Sequence, residues 1–256
     1  MGLLEGKKAF IFGVANDKSI AWAIAQAFHR EGAKLAFSYA GDSVAKRVIP
    51  LAESLGAELV VPCDVRNDEE IARAFLSVNE KWGGLDILVH SVAFAPKDEL
   101  KGSFLDTTRE GFISALEISA YSLIALSRAA APLMSGRNGS IITLTYYGGQ
   151  KVFPNYNVMG VAKAALEMSV RYLAEAVGPD GIRVNAISAG PIKTLAAAGV
   201  GGFNQIAGHV AEKAPLRRNI NQDEVAGAAL YLASPLSRGV TGEVHFVDSG
   251  YNVIGM

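Results

Sequence analysis

Three side chains near the middle of the chain have the chemistry to manage a developing negative charge: Tyr146, Tyr156 and Lys163. Tyr156 and Lys163 lie seven positions apart, about two helical turns or ~10 Å of rise, and at ~100° per residue they return to nearly one helix face. Helical side chains lean toward the N-terminus, so the Lys163 ammonium is expected to lean back toward the Tyr156 hydroxyl, leaving room for a sugar between them. A phenol with its ordinary pKa near 10 is a poor acid at neutral pH, but a cation at ~4–6 Å favours the phenolate by about two to three pH units at an effective dielectric of ~20. The expected chemistry is stabilisation of an oxyanion. By spacing alone, an amphipathic helix with a solvated tyrosine and lysine looks the same.

The elements that would hold these residues are legible around them. Gly139–Thr145 (GSIITLT) has strand composition, Gly148-Gly149 interrupts it, and Pro154 precedes an apolar-periodic run from Tyr156 to Val177, so Tyr146 stands where a strand opens into a loop. The same strand, loop and helix alternation fills the chain. Strands are predicted at Lys8–Gly13, Lys34–Tyr39, Glu58–Cys63, Leu85–His90, Gly139–Thr145, Arg183–Ile187 and Glu243–Val247. Helices are predicted at Ser19–Arg30, Ser43–Leu55, Asp68–Lys81, Thr108–Met134, Tyr156–Val177 and Asp223–Ala233. Strands without polar alternation, each followed by a helix, imply an α/β fold: a single Rossmann-type, doubly wound, seven-stranded parallel sheet flanked by helices. No linker or repeat divides the chain, so residues 1–256 are expected to form one dinucleotide-binding and catalytic domain. The glycine-bearing stretch around 190–210 follows a strand's carboxyl end and is expected to be a substrate lid.

Composition narrows the function classes. With 256 residues, 50% hydrophobic and 19% charged, the chain can bury a full core, and a formal net charge of -1 offers no general attraction to nucleic acid or to an anionic membrane. The only cysteine, Cys63, sits in an apolar run and is expected to be a buried core residue in a reducing compartment. The N-terminus lacks a signal peptide and no run approaches a membrane span, which predicts a cytoplasmic protein without nucleic-acid or membrane partners. The histidines at 29, 90, 209 and 245 lack metal-ligand spacing, so no metal is expected, and no G-x-S-x-G elbow suggests a hydrolase.

Ligands in such sheets lie beyond the carboxyl ends of the strands. The first loop, Gly13-Val-Ala-Asn-Asp-Lys-Ser19-Ile20-Ala21, offers a tight turn and a helix start where free N–H groups favour a pyrophosphate, although GxGxxG is absent and a plain turn with a serine cap explains it as well. Asp64 and Val65, closing the third strand, fit an adenine edge or simply a turn. The small residues of Ser91–Ala95, including Val92, allow either close approach of a flat cofactor or tight helix packing. After the sixth strand, Ser188-Ala-Gly-Pro-Ile-Lys-Thr194 reads as nicotinamide or phosphate contacts, or as a Gly-Pro turn.

Taken together, Gly13-x5-Ser19-Ile20-Ala21, Cys63-Asp64-Val65, His90-Ser91 with Phe94-Ala95-Pro96, Tyr146, Tyr156-x6-Lys163 and Val184-Asn-Ala-Ile-Ser-Ala-Gly-Pro-Ile192 resemble the bacterial NADH-dependent enoyl-[acyl-carrier-protein] reductases over almost the whole chain. These are a divergent branch of the short-chain dehydrogenase/reductase superfamily, whose ordinary members carry a catalytic serine and Tyr-x3-Lys. The resemblance implies NADH-driven reduction of a trans-2-enoyl thioester in fatty-acid elongation, with acyl carrier protein as the partner bearing the chain and a homotetrameric assembly. It implies catalytic roles for Tyr146, Tyr156 and Lys163. It also implies cofactor contacts at Gly13, Ser19, Ile20, Asp64, Val65, Val92, Lys163, Ile192, Lys193, Thr194, Leu195 and Ala196, and a substrate contact at Ala95.

Some positions depart from the family's commoner pattern: Ala40 stands where glutamine is frequent and Ala93 where glycine is usual. The second strand ends without an acid for a ribose 2′-hydroxyl and without an adjacent arginine for a 2′-phosphate, so NADPH is not excluded, and Lys46 and Arg47 lie further on. Val200–Gln205 carries no basic residue for an acidic carrier, leaving Lys193, Lys213, Arg217 and Arg218 as a candidate patch. Two alternatives remain at this level: a carbonyl or alcohol dehydrogenase of the same superfamily, and a dinucleotide-binding protein without turnover.

Overall fold

Seven apolar runs become strands because helices cover both of their faces. In the computed structural model, which describes residues 2–195 and 197–255, β1 spans Lys8–Phe12, β2 Lys34–Tyr39, β3 Leu59–Pro62, β4 Ile87–His90, β5 Ser140–Thr145, β6 Arg183–Ala189 and β7 Val244–Val247. All pair in parallel in the order β3-β2-β1-β4-β5-β6-β7, so the chain reverses direction across the sheet between β1 and β4. The helices are α1 (Ile20–Arg30), α2 (Asp42–Ser54), α3 (Asp68–Trp82), α4 (Arg109–Leu116), α5 (Ser122–Met134), α6 (Asn157–Val177), α7 (Phe203–Lys213) and α8 (Gln222–Ala233).

The period-two geometry of a strand splits the core. Ala9 and Ile11 of β1 face one layer with α1, α2 and α8, while Phe10 and Phe12 face the other with α3, α5 and α6. Phe10, Phe12 and Phe75 pack together with ring centroids 4.4 to 6.2 Å apart, and each buried phenylalanine contributes about 2–3 kcal/mol. A third, smaller apolar group of Ala95, Leu100, Ala115, Val158, Met159 and Ala162 lies against Tyr156 and Val200, apart from both main layers. Cys63 is buried, as expected, and burial pushes its thiol up to about 12.

Two expectations need correction. The predicted helix Thr108–Met134 is divided by a π-helical turn, Glu117–Tyr121, whose extra residue sets two buried serines inward. Ser119 Oγ donates to the Phe94 carbonyl and accepts the Phe94 N–H (3.1 and 3.0 Å), while Ser122 Oγ lies 2.8 Å from His90 Nε2. The bulge thus clamps the end of β4 and the loop after it. The glycine-bearing stretch 190–210 is not all loop: a 3-10 turn spans Ala197–Gly199, and α7 begins at Phe203 after the left-handed Gly202. The combined stretch Arg109–Met134 is long and apolar enough to cross a membrane, but half of its most apolar window is buried, on α3 and α6.

Candidate active site

The loop after β5 folds flat onto the start of α6 because glycine leaves room. A Cβ on Gly148 would come within 2.5 Å of the Tyr156 ring, so the loop lies directly against that side chain. Tyr156 is the residue immediately before α6, flanked by Asn155 and Asn157 with φ of +65° and +39°. Asparagine tolerates this left-handed backbone better than most residues, and such strain concentrates at working sites. The result brings Tyr146 and Tyr156 together: their rings meet edge to face, centroids 5.0 Å apart, and Phe153 packs on Tyr146 at the same distance. No hydrogen bond among the described residues uses either phenol hydroxyl.

Both phenols keep part of their surface accessible while sitting deep in the fold, where hydration is poor. Burial raises both pKa values well above the ordinary tyrosine value, for Tyr156 with further contributions from Tyr146 and Glu167. This overturns the expectation of a Lys163-induced phenolate. Lys163 is buried and points toward the sheet, its Nζ donating to the Leu144 carbonyl at 2.8 Å, so Tyr156 remains a neutral donor. One of the three ammonium donors is used in that bond; the others are available to ligand hydroxyls. Burial lowers the Lys163 pKa to about 8, and Glu167, one turn further along α6, opposes that fall.

Two buried polar residues that sequence reasoning did not assign frame this pair. Glu167 accepts from Thr145 Oγ1 and from Gln150 Nε2, both at 2.8 Å. His90 lies between Thr143 Oγ1 (2.7 Å) and Ser122 Oγ (2.8 Å), and burial together with Lys163 drives its pKa down to about 3, so it is neutral. The available signal for Glu167 was an acid four residues after Lys163 on an otherwise apolar helix face.

The remaining predicted residues line the carboxyl ends of the strands, but not all as expected. Gly13 has φ +95°, and a Cβ there would sit 2.0 Å from the Ser91 carbonyl, so only glycine lets the ends of β1 and β4 close at the reversal point. Ser19 precedes α1 but does not cap it: its hydroxyl donates to the Asn16 carbonyl at 2.6 Å, leaving the first N–H groups of α1 without a side-chain partner. Those uncapped N–H groups suit an anion. Asp64 is engaged by its neighbour, accepting the Arg66 guanidinium at 2.6 Å and the Arg66 N–H at 3.0 Å, which lowers its pKa. This favours the turn reading of its carboxylate. Val65 is buried and Val92 half-buried against the layer of α3 and α5.

After β6, Ile192 packs into the layer of α1 and α8, Thr194 Oγ1 caps the Ala197 N–H at 3.2 Å, and Lys193 and Leu195 are exposed. Ala196 lies outside the described residues. From β3 to β5 the strand ends span four strand spacings, ~19 Å, which only an elongated ligand would bridge. A reversal-point cradle, an uncapped helix start and a buried ammonium with spare donors together fit a dinucleotide.

Sequence reasoning also missed Asn155, whose Nδ2 donates to the Gly201 carbonyl at 3.1 Å and pins the stretch after β6. A cavity of about 680 Å³ opens beside this tie, lined by residues that include Tyr147, Phe153, Asn155, Ile206 and Tyr251. Tyr146, Tyr156 and Lys163 do not line it, so it adjoins the phenol pair without containing it. Of the candidate basic patch, Arg218 is paired with Glu224 at 2.7 Å and Arg217 donates to the last carbonyls of α7, whereas Lys193 stays exposed. Among the described residues no three His, Cys, Asp or Glu side chains converge on a metal site.

Comparison with known proteins shows the family. Residues 13–252 match the family described as Enoyl-(Acyl carrier protein) reductase. The chain is 55% identical over 256 residues to the NADH enoyl-[acyl-carrier-protein] reductase of Aquifex aeolicus, covering 100% of this chain and 95% of that one. The crystal structure from Aquifex aeolicus superposes with a TM-score of 0.97 over 100% of both chains. The Bacillus cereus enzyme with NADP+ and indole naphthyridinone, 53% identical, also gives a TM-score of 0.97 over 100% of both chains.

Proposed function

Since this chain belongs to the enoyl-[acyl-carrier-protein] reductase family, we propose a division of labour in which Tyr156 meets the charge formed during reduction and Lys163 holds the nicotinamide ribose. The chain is an NADH-dependent reductase of the trans-2 double bond of enoyl thioesters in fatty-acid elongation, with acyl carrier protein bearing the substrate. NADH, when bound, supplies the hydride that adds at C3. The C2=C3 pair then forms a C1=C2 bond as the carbonyl pair moves onto the thioester oxygen, and Tyr156, neutral and with its hydroxyl free, donates a hydrogen bond there. C2 then takes a proton that comes ultimately from solvent water, directly or through tautomerisation of the enol, to give the saturated thioester. One preorganised donor aimed at charge that exists only in the transition state is worth ~3–4 kcal/mol, or about 10²–10³ in turnover.

Lys163 offers its spare donors to the ribose hydroxyls and keeps the local potential positive. Tyr146 packs against Tyr156 and fixes its ring beside the substrate chain. The apolar group of Ala95, Leu100, Met159 and Val200 beneath Tyr156 supports the reading that the first acyl carbons lie there. Gly13, Ser19 and Ile20 form the pyrophosphate cradle; Val65 and Val92 serve the adenine side, with the Asp64 carboxylate held in its turn by Arg66, and Ile192–Leu195 the nicotinamide amide. We read the chain as one domain with a lid from residue 190 into α7, acting as a cytoplasmic homotetramer.

The observation that carries this reading is the edge-to-face phenol pair, neither hydroxyl hydrogen-bonded among the described residues, at the head of the helix that buries the Lys163 ammonium. A steady-state assay with crotonyl thioesters of carrier protein and coenzyme A, with NADH and with NADPH, tests it. Oxidation of NADH with the enoyl-carrier substrate is expected. Turnover of a ketone in place of the enoyl thioester would favour the dehydrogenase alternative, and NADH binding without either turnover would favour the binding protein.

A further inference from the structure

Glu167 is a carboxylate buried to 4% exposure on a helix face that otherwise buries Val158, Met159, Ala162, Leu166 and Val170. An unpartnered charge there would be costly, and this one is met from two sides. Thr145 Oγ1, at the last residue of β5, donates to one oxygen, and Gln150 Nε2, beyond the glycine loop, donates to the other. The two donors bracket Tyr146, so the carboxylate ties down both ends of the segment that carries the outer phenol. A Cβ on Gly149 would approach Glu167 Oε1 to 3.0 Å and the Lys163 carbonyl carbon to 3.0 Å, which shows how closely the loop is drawn onto this part of α6. Glu167 is also one turn from Lys163, ~6 Å between Cβ atoms at i,i+4 spacing. No hydrogen bond joins the two, and Lys163 donates to Leu144.

We propose that Glu167 is a positioning residue for the cofactor end of the site, acting as the counter-charge that keeps the Lys163 ammonium protonated in a dry environment and as the anchor that holds the Tyr146 loop over it. The proposal rests on the reading that Lys163 contacts the nicotinamide ribose. Other ionisable groups around the pair do not supply this counter-charge. His90 is neutral and bonded to Thr143 and Ser122, Tyr146 and Tyr156 are neutral, and Asp248 faces Tyr146. Glu99 is bonded to Thr108, Glu117 of the π turn faces Arg66, Arg183 is turned to the Leu232 and Val240 carbonyls, and Lys151, Arg171 and Glu175 are exposed. Removing the Glu167 charge would therefore leave the ammonium to burial alone.

The test is NADH binding to the full-length protein, followed by fluorescence from pH 6.5 to 9.5, for wild type, Glu167→Gln, Glu167→Asp and Lys163→Ala, with thermal midpoints taken alongside. In wild type, affinity is expected to fall as pH rises through about 8, where Lys163 loses its proton. In Glu167→Gln, which keeps the size and one acceptor, that fall is expected to move toward acid by about one to two pH units, so that NADH binds about tenfold more weakly at pH 7.5. Glu167→Asp is expected to restore most of the wild-type profile. A Glu167→Gln protein with a lower melting temperature but an unchanged pH profile would overturn the proposal in favour of a purely structural carboxylate. If Lys163→Ala binds NADH as wild type does, the underlying reading of Lys163 fails instead, a distinct outcome because the Lys163 and Glu167 variants are scored separately.

Discussion

The two ends of the sheet are built on opposite terms. At the amino ends of the strands most polar groups are partnered, the buried Arg137 Nε being an exception: Asp86, at the start of β4, accepts from Lys7 (3.3 Å), Arg137 Nη2 (3.4 Å) and the Lys8 N–H (3.0 Å), and Asn185 bridges the Val240 carbonyl and the Glu243 N–H at 3.0 and 3.1 Å. At the carboxyl ends, among the described residues, the phenol hydroxyls of Tyr146 and Tyr156 have no hydrogen-bond partner, α1 starts without a side-chain cap, and a lysine is buried with most of its donors unused. One end is finished without a ligand and the other is not. Damage to the amino ends should lower stability without changing turnover per folded molecule, and damage to the carboxyl ends should do the reverse.

The largest expected effect concerns Lys163. Its pKa falls from 10.5 toward about 8 on folding, so below pH 8 the charged form carries a burial cost of about 3 kcal/mol that is relieved as pH rises from 8 to 10.5. Over that window the unfolded chain binds more protons than the folded one, so this group makes stability rise with pH. Urea unfolding of wild type and Lys163→Met at pH 7 and pH 9.5 should show Met gaining relative to wild type at pH 7 and losing most of that gain at pH 9.5; a difference independent of pH would refute the buried charge. Next, Tyr156→Phe should lower kcat about a hundredfold, with NADH affinity within about threefold and an unchanged melting temperature. Asp86→Ala should cost about 2 kcal/mol of stability, because the cations it leaves are one-third exposed and can reach water, while kcat stays at the wild-type value. A kcat loss there would break the contrast. The smallest effect is expected from Asn155→Ala, which removes one hydrogen bond to Gly201: about 1 kcal/mol in KM for the acyl substrate, with a melting temperature lower by a few degrees because alanine tolerates the φ of +65° less well than asparagine.

Period and composition carried most of the scaffold. Apolar runs bounded by glycine located all seven strands to within about two residues, since a strand buried on both faces leaves no polar alternation to misread. The π turn was invisible because Glu117–Tyr121 has ordinary helical composition, and the extra residue is dictated by what Ser119 and Ser122 reach on another segment. In the site, the spacing of Tyr156 and Lys163 predicted a shared face. It could not predict burial, and burial decided the protonation state: desolvation outweighs the attraction of a cation bonded elsewhere. The Asp64 carboxylate shows the converse, a residue whose type suited a ligand but which Arg66, two positions away, already occupies.

The π turn has one more implication. An α-helix advances ~100° per residue, so the additional residue wound in at 117–121 rotates everything after it relative to everything before. The apolar stripe of α4, which faces the Tyr156 group through Ala115, and that of α5, which faces the main layer through Leu123, Leu126, Ala130 and Met134, are therefore out of phase with each other. Deleting one residue there would straighten the rod and yet turn one stripe toward water, so a shortened chain would have to lose either its contact with the cleft or its seat on the sheet.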